Sequence, residues 1–216
     1  MKIKTDREYR MAELLAQEIL EDKLVLYGTP ILFETPTTIR GINSRGEVQE
    51  FTEIIDKKAL DKTDMSDTAL KHEHRDILSR VRNKSLELIK TVNGLDMKAT
   101  LSNTQKSKDI YTEVRDGLLP EMSFAFPAPT PDGVGTVDKW TRTADGGLLR
   151  RILHIPKLID VSTVYSGAYQ DTSVFARSFD LMDIELEALD NDKNQLDSEA
   201  RTKELLKLRL RIKGRI

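Results

Sequence analysis

The stretch that decides the fold reads Leu86-Glu87-Leu88-Ile89-Lys90-Thr91-Val92-Asn93-Gly94-Leu95-Asp96-Met97-Lys98-Ala99-Thr100-Leu101. Leu86, Leu88 and Val92 alternate with polar residues apart from Ile89. Leu95, Met97, Ala99 and Leu101 alternate again after Asn93-Gly94. A period of two collects apolar side chains on one face of a strand, and Asn-Gly readily takes the positive φ angles of a type I′ turn. The stretch therefore predicts a β-hairpin with one buried face.

Working outward, residues 104–115 predict a helix. Ser102, Asn103 or Thr104 can cap it, Ile110, Tyr111 and Val114 share a face, and Gly117 can end it. Glu121-Met122-Ser123-Phe124-Ala125-Phe126 reads as a short strand, residues 127–135 as a Pro/Gly-rich loop, and Asp145-Gly146-Gly147 as a tight turn. Residues 148–165 hold one or two further strands. Upstream, Leu24-Val25-Leu26-Tyr27-Gly28-Thr29-Pro30-Ile31-Leu32-Phe33 reads as a strand, residues 35–46 as turn chemistry, 51–55 as a strand and 57–60 as a short turn or helix. Residues 11–20 carry modest helical periodicity. The expected architecture is an α+β domain, β-rich and barrel-like, with flanking helices. Past about Ser178 the chain turns acidic and then, from Lys207 to Ile216, basic. The expected organisation is a charged N-terminal segment (1–22), a folded domain (23–178) and a charged C-terminal tail, helical in part (179–216).

Composition narrows the function. The 216 residues are 38% hydrophobic and 32% charged, enough for one core beside a solvated segment. There is no cysteine, which excludes a disulfide framework, a zinc ribbon and a thiol nucleophile. A net charge of −2 speaks against a molecule that binds nucleic acid by its overall charge. No apolar run approaches the roughly 20 residues of a membrane-spanning helix. The first residues lack the apolar core of a signal peptide, so a cytoplasmic protein is expected. No Walker loop, dinucleotide fingerprint or Gly-x-Ser-x-Gly elbow is present.

The residues that could carry chemistry are few. The three histidines are His72, His74 and His154. In a strand, positions 72, 74 and 76 point to one face, which leaves three readings open. His72, His74 and Asp76 could form an open set of metal ligands, one imidazole could serve as a general base, or the segment could be a solvated polar loop. Ser123 alternates with Met122, Phe124 and Phe126, so it should lie opposite the aromatic face, beside the small Ala125. It is either a hydroxyl with room for a substrate or an ordinary strand serine. Asp160, inside Leu158-Ile159-Asp160-Val161-Ser162-Thr163-Val164, is costly to bury unless paired. It either orients an imidazole as the third member of a triad or faces water on an edge strand. His154, on the same nominal face with Pro156 between, is the alternative third member.

The order of the parts carries a resemblance. Tyr27-Gly28 is followed by Phe51-Thr52-Glu53-Ile54-Ile55 with Lys58-Ala59-Leu60, then His72-Glu73, then Ile77-Leu78-Ser79-Arg80 with Leu86-Glu87-Leu88, then Asn93-Gly94-Leu95. Asp109-Ile110-Tyr111, Gly117, Met122-Ser123-Phe124-Ala125-Phe126 and Asp160-Val161-Ser162-Thr163-Val164 with Ala168-Tyr169 complete the set. Over residues 23–178 this resembles the prohead proteases of tailed bacteriophages, head-maturation serine peptidases that look distantly related to herpesvirus assemblins. The resemblance implies Ser123 as nucleophile. It implies His72 as catalytic histidine, with Lys71 where Asn is usual and Glu73 where Asp is usual; a two-residue slip would select His74. The family's Glu-Val-Ser appears as Asp160-Val161-Ser162, which implies Asp160 as the orienting acid, one methylene shorter.

The activity so implied is that of a serine endopeptidase needing no metal or cofactor. It would act inside the procapsid in the host cytoplasm, cleaving the scaffolding segment of the major capsid protein and often itself. The implied partners are the major capsid protein and scaffold, with self-association and with neither nucleic acid nor membrane. The competing expectations are a capsid scaffold or assembly protein that does not cut and, lowest, a metal-dependent hydrolase.

Overall fold

The computed structural model describes residues 7–16, 23–42, 48–130 and 134–165. Among them the chain forms β1 (Arg7–Ala16), β2 (Val25–Leu32), β3 (Thr37–Ile42), β4 (Val48–Ile55), β5 (Ala69–His72), β6 (Asp76–Arg80), β7 (Leu86–Lys90) and β8 (Gly94–Thr100). One helix, α1 (Gln105–Arg115), and the strands β9 (Glu121–Pro127), β10 (Val137–Arg142), β11 (Leu148–His154) and β12 (Asp160–Val164) follow. The strands make an eight-stranded sheet, β6-β5-β12-β9-β1-β2-β8-β7, and a four-stranded sheet, β10-β11-β4-β3. The proposed tail and Ala168-Tyr169 lie outside the described residues.

The hairpin of β7 and β8 forms as its alternation requires, apart from Val92, which lies in the turn and is exposed rather than on the buried face. Leu86 pairs with Ala99 and Leu88 with Met97, and Leu86, Leu95, Met97 and Ala99 enter the core. Its turn differs from the Asn-Gly expectation. Thr91 N–H donates to the Gly94 carbonyl (2.8 Å), so Val92 and Asn93 sit at the tip, and neither Asn93 nor Gly94 has positive φ. The reason is a neighbour. A Cβ on Gly94 would lie 2.0 Å from the Ile31 carbonyl oxygen, and Phe33 N–H donates to the Asn93 carbonyl at 2.8 Å. The glycine is there for close approach of β2, not for a left-handed turn.

Local signals also set α1. The Thr104 hydroxyl accepts from Ser107 N–H at the N-cap, a bond worth about 1 kcal/mol. Gly117 (φ 73°) ends the helix, with Gly117 N–H on the Val114 carbonyl and Leu118 N–H on that of Glu113, the paired bonds of a Schellman motif. Ile110, Tyr111 and Val114 are buried in the main core.

Three expectations are corrected. Residues 7–16 form β1 rather than part of a helix: Arg7–Glu13 lies against β9 and Leu14–Ala16 against β2, so the pairing of two neighbouring strands overrides a weak helical period. Residues 37–42, read as turn chemistry, are β3, paired with β4. The sheet is not a closed barrel, and one helix rather than several is found among the described residues. The edges are the consecutive strands β6 and β7, and at their junction Arg80 N–H donates to the Ser85 hydroxyl (2.9 Å) rather than to a β7 carbonyl.

The link from β11 to β12 carries the chain between sheets and positions the site. Ile155 N–H donates to the Ala59 carbonyl, Leu158 N–H to that of Asp64, and Ile159 N–H to that of Ala125. Thr68, just before β5, donates its hydroxyl to the Leu158 carbonyl at 2.8 Å. Ile155, Leu158 and Val161 are buried in the same core as Ile55 and Ile152 of the smaller sheet.

Candidate active site

Register decides which side chains share a face. In the centre of the large sheet, Ser123 of β9 stands opposite Ser162 of β12, and Ser162 opposite Lys71 of β5. Residues directly opposite lie on the same face, so these three form one row across three strands. The next row is Ala125, Asp160 and Ala69. Alternation places Met122, Phe124, Val161 and Leu70 on the other face, where all four are buried in the core. Ser123 thus lies opposite the aromatic face, as its spacing predicts. Two alanines flank Asp160 and leave room above its carboxylate.

His74 fills that room. Its Nδ1 lies 2.6 Å from Asp160 Oδ1 and 3.1 Å from Ser162 Oγ, and the Ser162 hydroxyl donates to Asp160 Oδ1 at 3.0 Å. Lys71 Nζ donates to the other carboxylate oxygen at 2.9 Å. Asp160 is therefore a buried carboxylate on a central strand, and it is paired. The Asp160 side chain is 1% exposed and the His74 side chain 21%. Burial raises the Asp160 pKa; the hydrogen bonds and charges of His74, then of Lys71, outweigh it and hold the carboxyl below the ordinary aspartate value. The acid stays ionised where a lone carboxylate would cost several kcal/mol, on the order of an uncompensated buried charge.

His72 is placed elsewhere. It faces Thr163 across the ladder, on the Met122 side of the sheet, and its Nδ1 lies 3.1 Å from Thr163 Oγ1. Its ring meets Tyr165 edge-on at 5.6 Å. The two histidines part because the strand ends between them. Glu73 (φ 50°) and His74 (φ 56°) take left-handed conformations, and Arg75 N–H closes the turn on the His72 carbonyl at 3.0 Å. This is the type I′ sign pattern, built without glycine. Glu73 N–H donates to the Thr163 carbonyl, and the Glu73 carboxylate accepts Tyr165 N–H at 2.8 Å, pinning the turn to the end of β12. Alternation from 72 to 76 is broken, so His74 comes over the Asp160 face while His72 does not. Nothing in a periodic reading shows this; the signal is a polar Glu-His pair able to turn between two short strands.

The open metal triad is not assembled. His72 engages Thr163, His74 engages Asp160, and Asp76 bridges to Lys106 of α1 at 2.9 Å. His154 ends β11 opposite Val137 in the smaller sheet, not beside Asp160. Among the described residues the Ser123 side chain makes no hydrogen bond to another residue, and it is 4% exposed. Chemically, the polar face offers a hydroxyl, an imidazole held by an ionised acid, and an ammonium, the set from which acyl transfer by an activated serine is built.

Residues 13–185 match the family model of the caudovirus prohead serine proteases, most of the chain. No curated protein matches. Among solved structures, the chain is similar to the bacteriophage T4 capsid assembly protease, gp21, at 9% identity and a TM-score of 0.40, covering 75% of this chain and 100% of that one. With the family match spanning the hairpin, the serine strand and the Asp160 strand, this chain belongs to the caudovirus prohead serine proteases.

Proposed function

We propose that Ser123 is the nucleophile of this capsid-maturation protease, His74 its general base and Asp160 the acid that orients the base. The observation that carries the reading is the His74 imidazole, set 2.6 Å from a buried carboxylate on the sheet face that bears Ser123. Nδ1–H of His74 donates to the Asp160 carboxylate, which leaves Nε2 as the basic nitrogen. His74 Nε2 removes the Ser123 proton as Oγ attacks the scissile carbonyl, then returns it to the leaving amine. The acyl-enzyme is hydrolysed by water activated in the same way. Asp160 accepts a hydrogen bond throughout and stabilises the imidazolium without itself being protonated.

The substrate in this reading is the scaffolding segment of the major capsid protein, cut inside the procapsid, with the protease's own chain as a further target. It is supported by membership of a family of prohead proteases. A distant kinship with herpesvirus assemblins is part of the same reading. Co-expression of the chain with its capsid protein tests the reading. A shortened capsid protein is expected, lost with Ser123→Ala and with His74→Ala. A processed band that survives Ser123→Ala rejects the nucleophile, and a capsid protein left at full length by the unaltered chain leaves an assembly role.

A further inference from the structure

The side chain that family membership and the triad leave without a task is Lys71. It lies in the same row as Ser123 and Ser162, with its side chain only 16% exposed, and its ammonium reaches back two residues along β12 to Asp160 Oδ2. The division of the carboxylate is the informative part. Oδ1 receives His74 and Ser162, while Oδ2 receives Lys71. A carboxylate pinned at one oxygen cannot rotate about its own axis, so the oxygen that faces the imidazole is fixed. We infer that Lys71 is a positioning residue of the catalytic apparatus, acting through Asp160 to keep it ionised and turned toward His74; this rests on the reading of Ser123, His74 and Asp160 given above.

The surroundings single out this ammonium. From β5 itself come Lys71 and His72, the latter turned to Thr163. From the turn come Glu73, bonded by Tyr165 N–H, and the exposed Arg75. Asp76 of β6 is bridged to Lys106 of α1, and Glu121 of β9 stands two residues before Ser123. Of these, Lys71 is the one that brings an ammonium onto the Asp160 carboxylate, beside the His74 imidazole. Burial favours the neutral acid, and the hydrogen bonds from His74 and Lys71 together with the lysine's charge oppose it, so loss of Lys71 moves Asp160 toward protonation. A protonated Asp160 no longer stabilises the imidazolium that forms as Ser123 attacks.

The probe is a fluorophosphonate, which needs no knowledge of the substrate. Ser123 Oγ bonds to phosphorus, fluoride leaves with the electron pair, and the serine proton goes to His74. The rate of labelling of the full chain is followed by mass at a series of pH values. Labelling of the unaltered chain at Ser123 is expected. Lys71→Met is expected to label at least about tenfold more slowly at neutral pH, with the acid limb of the profile moved to higher pH, and Lys71→Arg to recover most of the rate. Where Lys71→Met does not fold, Lys71→Gln carries the same comparison. An unchanged rate and limb without the ammonium overturn the role of Lys71 while the triad stands. Failure of the unaltered chain to label at Ser123, or undiminished labelling in His74→Ala, overturns the triad and with it this inference. Equal loss in Lys71→Met and Lys71→Arg with no movement of the limb marks a purely structural ion pair and also overturns it.

Discussion

Each sheet buries a charge in the middle of a strand, and the two solve the cost differently. In the four-stranded sheet Arg150 of β11 is 0% exposed. Its guanidinium donates to Glu53 of β4 at 3.0 Å and to Asp138 of β10 at 2.5 Å, and lies 5.6 Å from the centre of the Trp140 ring. These partners come from strands, Trp140 packs edge-on against Phe51, Arg150, Glu53 and Trp140 are buried, and the Asp138 side chain is 12% exposed. In the eight-stranded sheet Asp160 is as deep, but its partners are a lysine and an imidazole on a turn, both partly open to solvent. A buried charge whose partners are fixed on neighbouring strands holds those strands in register. A charge whose partner keeps a path to the surface can hold a group that must gain and lose a proton. The contrast fits a structural task for Arg150 and, on the proposed mechanism, a chemical one for Asp160.

The comparison is broken or sharpened by four measurements. The largest effect belongs to the imidazole. His74→Ala is expected to lower capsid-protein cleavage by about a thousandfold or more, beyond any loss of melting temperature from taking a partner off buried Asp160, and His72→Ala by less than about tenfold with melting near that of the unaltered chain. The reverse ranking would return the base to His72. Next, Arg150→Met strands Glu53 and Asp138 and should cost about 3–5 kcal/mol in a denaturant melt, while fluorophosphonate labelling of the fraction still folded stays unchanged. A labelling rate that falls in proportion to nothing in the melt would undo the division of tasks.

The third measurement uses acid. A carboxyl held below its unfolded value stabilises the fold above that value, about 3.9, and the contribution is lost as pH falls through the folded value. The gap in melting temperature between the unaltered chain and Asp160→Asn should therefore be widest near neutrality and close as pH drops below about 4. A gap that widens on acidification contradicts an ionised Asp160. Smallest is Thr104→Ala, far from both clusters, which should cost about 1 kcal/mol in the same melt and leave cleavage intact.

Much of this was legible from local chemistry. The 86–101 alternation, the Thr104 cap, the Gly117 stop and the aromatic face opposite Ser123 each depend on residues close in sequence, and each appears in the structure. The demand that Asp160 find partners was legible too, since burial without them is prohibitive. What was not legible depends on distant chain. β1 is a strand because β9 and β2 offer it edges, and Gly94 answers to the Ile31 carbonyl rather than to its own turn. His154 shares an apparent face with Asp160 only until the link at 155–159 carries the chain to the other sheet. The Arg150 cluster is not legible in the sequence, because Arg150-Arg151 reads as surface charge until three strands are brought together.

The left-handed pair at Glu73 and His74 has a bearing on how such a catalyst can change. A side chain on a strand has two directions open to it, up or down, and altering one means slipping the whole ladder. A ring mounted on a reverse turn is released from that choice. Insertions or replacements at the loop can re-aim it over Asp160 while the pleat beneath, with its packed leucines and phenylalanines, is left alone. With His74 as the proposed base, the tuning of the reaction and the integrity of the scaffold become separable heritable traits.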